Sequence, residues 1–166
     1  LHCHVDAGPN RTEIMTKETI DRLLLLIESS DEIQTIDVTG GAPELNPHFK
    51  YFVHELRKAN KNIIDRCNLT VLLEPEQEDT ALFLKEHNVQ IICSLPCYLE
   101  NNVDRQRGKG VFSKSVEALK LLNDLGYGKP NSGLVLNIVY NPIGASLPPD
   151  QMTLEMQYKS ILLEDY

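Results

Sequence analysis

The sequence lacks the features that mark membrane, secreted and nucleic-acid-binding proteins. No apolar stretch approaches the roughly 20 residues that a membrane span needs, and no N-terminal segment has secretory flanks. Positive charge is scarce, because 16 Lys and Arg stand against 24 Asp and Glu, for a net charge of -8 at pH 7. That balance argues against nucleic acid and anionic membranes, which attract basic surfaces. We therefore expect a small-molecule substrate as the partner.

Cysteine is also scarce, and the chain shows no low-complexity tract or internal repeat. The four cysteines are Cys3, Cys67, Cys93 and Cys97. In a chain without secretory features they indicate reduced thiols or metal ligands rather than a disulfide framework. We therefore expect a reducing compartment, either the cytoplasm or an organellar stroma or matrix. The 166 residues are enough for one domain with a substantial core, which we assign to residues 1–166.

Short runs of Val, Ile and Leu alternate with helical patterns, which predicts βαβ units and a parallel sheet. The predicted strands are 35–39, 69–73, 89–95 and 134–140. The predicted helices are one capped by Thr16, one started by Asn46 and Pro47, one around 81–86, one closed by Gly126 and one starting near Asp150. Residues 98–110 are predicted to form a linker.

A closed (β/α)8 barrel usually needs about 250 residues, so the prediction is an α/β fold with a partial, open parallel barrel. The order of elements begins with a helix, whereas such folds normally begin with a strand. The chain also starts without Met, inside what looks like a motif. We therefore expect a piece of a longer protein, with the first strand of the barrel missing before Leu1.

Polar residues and glycines follow the predicted strands at their carboxyl ends, where parallel α/β sheets place their sites. Gly40 and Gly41 allow close approach of a ligand to the backbone, although a tight turn explains them equally well. Ser94 and Asn137 are either ligand contacts or satisfied structural groups. Cys97 lies in a loop at this edge. Arg107 suits a carboxylate or oxyanion substrate, or is a solvated linker charge.

Cys3, with His2 and His4 on either side, opens the chain. Thiolates hold iron–sulfur clusters, but a single cysteine taken alone is more often an incidental, solvated one. The two histidines leave zinc open as a ligand, although no fourth ligand stands at the spacing of a zinc motif.

Taken together, a cysteine before a helix and a strand-end Gly-Gly-x-Pro resemble the core of a radical SAM enzyme. In that superfamily a C-x3-C-x2-C loop binds a [4Fe-4S] cluster, so the resemblance implies that Cys3 is the last cluster ligand and that His2 lies beside the adenine of S-adenosylmethionine (SAM). Gly40 and Gly41 would contact the amino group of SAM. Ala42 stands where most members have Glu, and Glu44 follows two residues later as a candidate SAM contact.

The resemblance extends further, to the radical SAM/Cys-rich proteins linked to arsenosugar biosynthesis. It is carried by residues 2–9, 39–47, 68–75, 94–98, 103–112 and 136–142. It implies reductive cleavage of SAM and adenosylation of a trivalent methylated arsenical. Ser94 and Asn137 would then face the ribose and carboxylate of SAM, and Cys97 and Arg107 become candidates for contacting the substrate. The family's Cys-rich domain would lie beyond Tyr166.

Several alternatives stay open at this point. With one cysteine in the matching loop, we expect the 166-residue chain itself to retain no cluster and to be inactive. A rival interpretation is a non-catalytic α/β domain that binds a nucleotide or a metal ion through the Gly-Gly turn. A third is an artefact of gene prediction. An exposed sheet edge would also favour a homodimer.

Overall fold

The structure, a computed structural model, describes residues 11–142 and 147–165. The helices are α1 (Lys17–Glu28), α2 (Phe49–Lys58), α3 (Thr80–Glu86), α4 (Glu100–Arg107), α5 (Val111–Leu125) and α6 (Gln151–Asp165). The strands are β1 (Thr35–Val38), β2 (Asn62–Asp65), β3 (Gln90–Ser94) and β4 (Leu136–Val139). Two 3₁₀ helices cover Pro43–Leu45 and Leu69–Leu73. None of the helices in these ranges is long and apolar enough to cross a membrane.

The four strands form one open sheet in the order β1-β2-β3-β4, and every neighbouring pair is parallel. Parallel neighbours require a crossover connection between strands, and a helix lies in each connection. The prediction of an α/β fold with a partial, open parallel barrel is therefore confirmed. The homodimer through a sheet edge stays a prediction.

The predicted strand over 69–73 is wrong. Leu69–Leu73 is a 3₁₀ helix, and its turns are closed by hydrogen bonds from Val71 N to Asn68 O (2.9 Å) and from Glu74 N to Val71 O (3.0 Å). The second strand is instead Asn62–Asp65, which the sequence analysis missed because polar residues stand at both of its ends. A short apolar run does not by itself distinguish a buried strand from a buried helical turn.

The predicted linker over 98–110 is also wrong, because it contains α4. Asp104 lies on this helix and accepts hydrogen bonds from Gly110 N (2.7 Å) and Phe112 N (3.1 Å), at the first turn of α5. These bonds hold the pKa of the Asp104 carboxyl below its usual value. Gly108 and Gly110 have φ angles of 115° and 81°, which few other residues adopt without strain. The segment is thus a tight corner between two helices.

The helix-start and helix-stop signals mostly hold. Thr16 caps α1 by accepting a hydrogen bond from Thr19 N (3.3 Å), and Gly126 ends α5 in the left-handed conformation. Asp150 accepts from Thr153 N (3.0 Å) at the start of α6. Asn46 accepts from His48 N (2.8 Å), so it closes the turn before α2 rather than capping the helix directly.

Apolar stripes on the helices cover one face of the sheet, which we call the helix-covered face. The buried residues of these stripes are Ile20, Leu24 and Ile27 on α1, Phe49, Phe52, Val53 and Leu56 on α2, and Phe112, Val116, Leu119 and Leu122 on α5. The strand residues buried on this face are Ile63, Asp65, Ile91 and Cys93. Since side chains alternate along a strand, the intervening residues point to the opposite face.

We call that opposite side the open face. Its strand residues are exposed or half-buried, and they are Thr35, Asp37, Asn62, Ile64, Gln90, Ile92, Ser94, Asn137 and Val139. In a closed barrel this face would line the interior. The sheet therefore has one apolar, packed side and one accessible, largely polar side.

Candidate functional site

Ser94 and Asn137, two of the predicted site residues, lie on the open face of neighbouring strands. Asn137 is paired with Ile92 across the β3–β4 ladder, and Ser94 is paired with Val139. Their side chains therefore point to the same side and are diagonal neighbours near the carboxyl end of the sheet. Ser94 is half-buried and Asn137 is exposed, so both can reach a bound ligand.

Gly40 and Gly41, which were predicted as a ligand-binding turn, follow the carboxyl end of β1 and are both exposed. A side-chain carbon placed on Gly40 would meet no atom of residues 11–142 and 147–165 within 4 Å. The space beside Gly40 is thus open, and its peptide groups are accessible to a ligand.

An ion pair on the open face was missed by the sequence analysis. The Arg66 guanidinium donates to both carboxylate oxygens of Asp37, at 2.8 to 3.1 Å, across β1 and the end of β2. Both side chains are partly exposed, and the pair raises the pKa of Arg66. The ion pair could have been predicted only by recognising the strand at 62–65, because parallel pairing of that strand with β1 brings the two residues together.

Glu44 lies in a different environment from the other predicted SAM contacts. It follows β1 in the 3₁₀ helix Pro43–Leu45 and is only 5% exposed. Glu44 lies close to Asp65 and Cys67. One carboxylate oxygen of Glu44, one of Asp65 and the sulfur of Cys67 lie within 4.8 Å of one another. Asp65 and Cys67 are 0% and 1% exposed. We call these three residues the buried acidic cluster.

The carboxylates of the buried acidic cluster form no well-aligned hydrogen bond among the described residues, although the Cys67 thiol and the backbone N–H of Asn68 are directed toward Glu44. Neither oxygen of Glu44 or of Asp65 has a hydrogen-bond partner within residues 11–142 and 147–165. Burial raises the pKa of Glu44, and burial together with the Glu44 charge raises the pKa of Asp65 well above its usual value. Burial and the same two charges also raise the pKa of Cys67. Without a cation, the cluster therefore favours bound protons.

The two candidate substrate residues lie at opposite ends of one segment. Cys97 is buried after β3, and the Asn102 amide donates to its sulfur at 3.5 Å. Arg107 is exposed at the last residue of α4. Cys93, by contrast, faces the core with its thiol on the Asn137 carbonyl oxygen (3.4 Å), and burial raises its pKa to about 12. That environment fits a structural cysteine.

His2 and Cys3 lie outside the described residues, so their predicted roles stay predictions. Gly40 and Gly41 follow the carboxyl end of β1, Ser94 is the last residue of β3, and Asn137 is the second residue of β4. The structure places the Glu44 side chain with the buried acidic cluster instead.

Comparison with known proteins adds one match. The sequence model of the radical SAM superfamily matches residues 1–142, a range that includes Cys3, the Gly40-Gly41 turn and all four strands. No curated protein matches the chain.

Proposed function

Because the chain belongs to the radical SAM superfamily, we propose that it is the SAM-binding part of an enzyme that cleaves SAM reductively with a [4Fe-4S] cluster. One observation carries the placement of SAM. The Gly40-Gly41 turn follows the carboxyl end of β1, Ser94 ends β3 on the open face, and Asn137 lies diagonally beside Ser94 on the same face of β4. Parallel α/β sheets bind their ligands at this end.

The residues present fit SAM. Open space flanks Gly40, so its peptide groups can approach the methionyl amino group as the superfamily's turn does. The Ser94 hydroxyl and the Asn137 amide both donate and accept hydrogen bonds, which suits a ribose or a carboxylate. The proposal gives the Glu44 side chain no contact with SAM, because it is buried with Asp65 and Cys67.

We assign Cys3 to the cluster as a thiolate ligand and His2 to the neighbourhood of adenine, on the strength of their positions in the motif. When bound, the cluster supplies the electron that cleaves SAM to methionine and a 5'-deoxyadenosyl group. The chain's own residues then hold SAM and exclude water from it. Asp37 and Arg66 contribute a fixed, paired charge on the open face beside that site.

For the substrate we propose a trivalent methylated arsenical. Its lone pair would form the new As–C5' bond as the C5'–S bond of SAM breaks and methionine leaves; arsenic goes from As(III) to As(V), and the one electron that starts the cleavage is released again. The support is the resemblance of six segments to the arsenosugar proteins. Cys97 is the proposed thiol contact, since sulfur binds arsenic strongly, and Arg107 is the proposed contact for an anionic group. Cys97 precedes α4, which follows β3, and Arg107 is the last residue of α4.

We also propose that the 166-residue chain, tested alone, retains no cluster, because its matching loop contains the single thiolate of Cys3. The three other cysteines do not share that loop, and two of them, Cys67 and Cys93, have raised pKa values, which disfavours the thiolate form.

The test uses the protein at its full natural length, its Cys3→Ser variant and the 166-residue chain, all reconstituted anaerobically with iron and sulfide. With SAM and a strong reductant, we expect methionine and 5'-deoxyadenosine from the full-length protein alone. With a trivalent methylated arsenical added, we expect an adenosylated arsenical.

Three outcomes would contradict parts of the proposal. No SAM cleavage by the full-length protein would overturn the enzymatic function. Cleavage with no arsenical consumed would overturn the substrate. A stable cluster on the 166-residue chain, seen as broad visible absorption, would overturn the proposal for the chain alone.

A further inference from the structure

The buried acidic cluster holds two carboxylates and a thiol in a place where proteins rarely leave such groups unpaired. Buried charged groups are normally paired, hydrogen-bonded or bound to a metal ion. Here all four carboxylate oxygens of Glu44 and Asp65 lack a partner among the described residues, although both side chains are more than nine-tenths buried. Buried carboxylate oxygens that form no hydrogen bond among the described residues point to a cation.

The spacing of the three groups suits a single ion. In a tetrahedral site with ligand bonds of about 2.0–2.3 Å, ligand atoms lie about 3.3–3.8 Å apart. The cluster's candidate ligand atoms lie within 4.8 Å of one another, so small side-chain movements would bring all three onto one ion. The backbone already places them: Asp65 ends β2, Cys67 follows it by two residues, and Glu44 comes from the turn after the neighbouring β1.

The donor set selects the kind of ion. A thiolate with two carboxylates suits a borderline-soft divalent ion such as Zn²⁺, whereas Mg²⁺ and Ca²⁺ prefer oxygen ligands alone. A doubly charged cation would also offset the repulsion between Glu44 and Asp65.

We propose that Glu44, Asp65 and Cys67 bind one Zn²⁺-class ion, which links the segment after the Gly40-Gly41 turn to the end of β2. The site shares no residue with the proposed SAM contacts, and Asp65 points to the helix-covered face. The site's role is a structural link that holds the turn.

The test is a Zn²⁺ titration of the 166-residue chain with Cys3 replaced by Ser, which removes the thiol between His2 and His4. We expect one Zn²⁺ per chain and a rise in melting temperature on binding, since a ligand of the native state stabilises it. Co²⁺ in place of Zn²⁺ should show thiolate-to-cobalt charge-transfer absorption.

Three further substitutions in the same background locate the ion. Cys67→Ser should abolish the charge-transfer absorption, and Asp65→Asn should weaken Zn²⁺ binding at least tenfold. Cys93→Ser is the matched control, because it removes a buried thiol on the same face outside the cluster, and it should bind as the parent does. Circular dichroism on each variant reports whether it folds. If a variant does not fold, the Zn²⁺ stoichiometry and the melting-temperature shift of the parent still test the proposal.

Absence of stoichiometric Zn²⁺ binding by the parent would overturn the proposal, because protons alone would then satisfy the cluster. Binding that persists in both Asp65→Asn and Cys67→Ser would also overturn it and would assign the ion elsewhere, for instance to the His54–His87 pair. Neither result would affect the proposed SAM cleavage, which is measured on the full-length protein.

Discussion

Asp37 and Asp65 lie on adjacent strands near the same end of the sheet, but on opposite faces. Asp37 is partly exposed and forms a bidentate pair with Arg66. Asp65 is fully buried, has no hydrogen-bond partner among the described residues, and faces a second acid. One sheet thus holds the same side chain in two opposite electrostatic environments.

The two environments indicate that the two faces of the sheet have different roles, ligand binding on the open face and stability on the helix-covered face. The open face carries polar groups that water and an arginine already satisfy, so it can exchange those partners for a ligand. The helix-covered face supplies most of the folding free energy through apolar burial, and its acids must bind a proton or a metal ion. Substitutions on the two faces should therefore differ in size and even in sign.

The largest expected difference concerns Ile91 and Ile92, which are consecutive on β3. Ile91 is fully buried under the helices, so Ile91→Ala should lower the free energy of unfolding by about 2–5 kcal/mol. Ile92 is half-buried on the open face, so Ile92→Ala should cost less than half as much. Urea denaturation of both variants measures the difference. Equal costs would show that the open face is packed as tightly as the covered one.

The second comparison concerns Asp65 and Asp37, whose substitution by Asn should change the free energy of unfolding in opposite directions. In the presence of a chelator at pH 8, Asp65→Asn should raise the free energy of unfolding, because a carboxyl whose pKa is raised in the folded chain costs stability once the pH exceeds its usual pKa. Asp37→Asn, the matched control, removes an exposed ion pair and should lower it by about 0.2–1 kcal/mol. A loss of stability in Asp65→Asn would contradict the description of the cluster.

The pH dependence gives a smaller effect with a definite sign. Since the pKa of Asp65 is raised in the folded chain, its contribution to stability is fully present below the usual aspartate pKa and is lost as pH rises through the raised value. The titratable groups that interact with Asp65 are Glu44, Cys67 and Tyr127 and, through the charge on the opposite face of the sheet, Asp37. With a chelator present, the stability gained by Asp65→Asn should thus grow from pH 4 to pH 8. A gain that shrinks over that range would show that Asp65 has a lowered pKa.

The sequence alone predicted those strands of the sheet that a local run of apolar residues marks. The strands at 35–39, 89–95 and 134–140 were found because their apolar runs are bounded by glycine, proline or polar residues. The strand at Asn62–Asp65 was missed because only its two central residues are apolar. Because this strand was missed, neither aspartate environment was predicted. The Asp37–Arg66 pair and the buried acidic cluster exist only when β1 and β2 pair. Such long-range pairing leaves no local signal in the sequence.

The central claim is that SAM binds on the open face, at the carboxyl end of the sheet. The most direct measurement is a titration of the ¹⁵N-labelled chain with millimolar SAM, followed by two-dimensional NMR. We predict that the amide signals of Gly40, Gly41, Ser94 and Asn137 shift together, while those of Asp65 and Cys93 on the helix-covered face stay in place, and that the shifts weaken in a Ser94→Ala, Asn137→Ala double variant. Shifts confined to the helix-covered face, or none at saturating SAM, would contradict it.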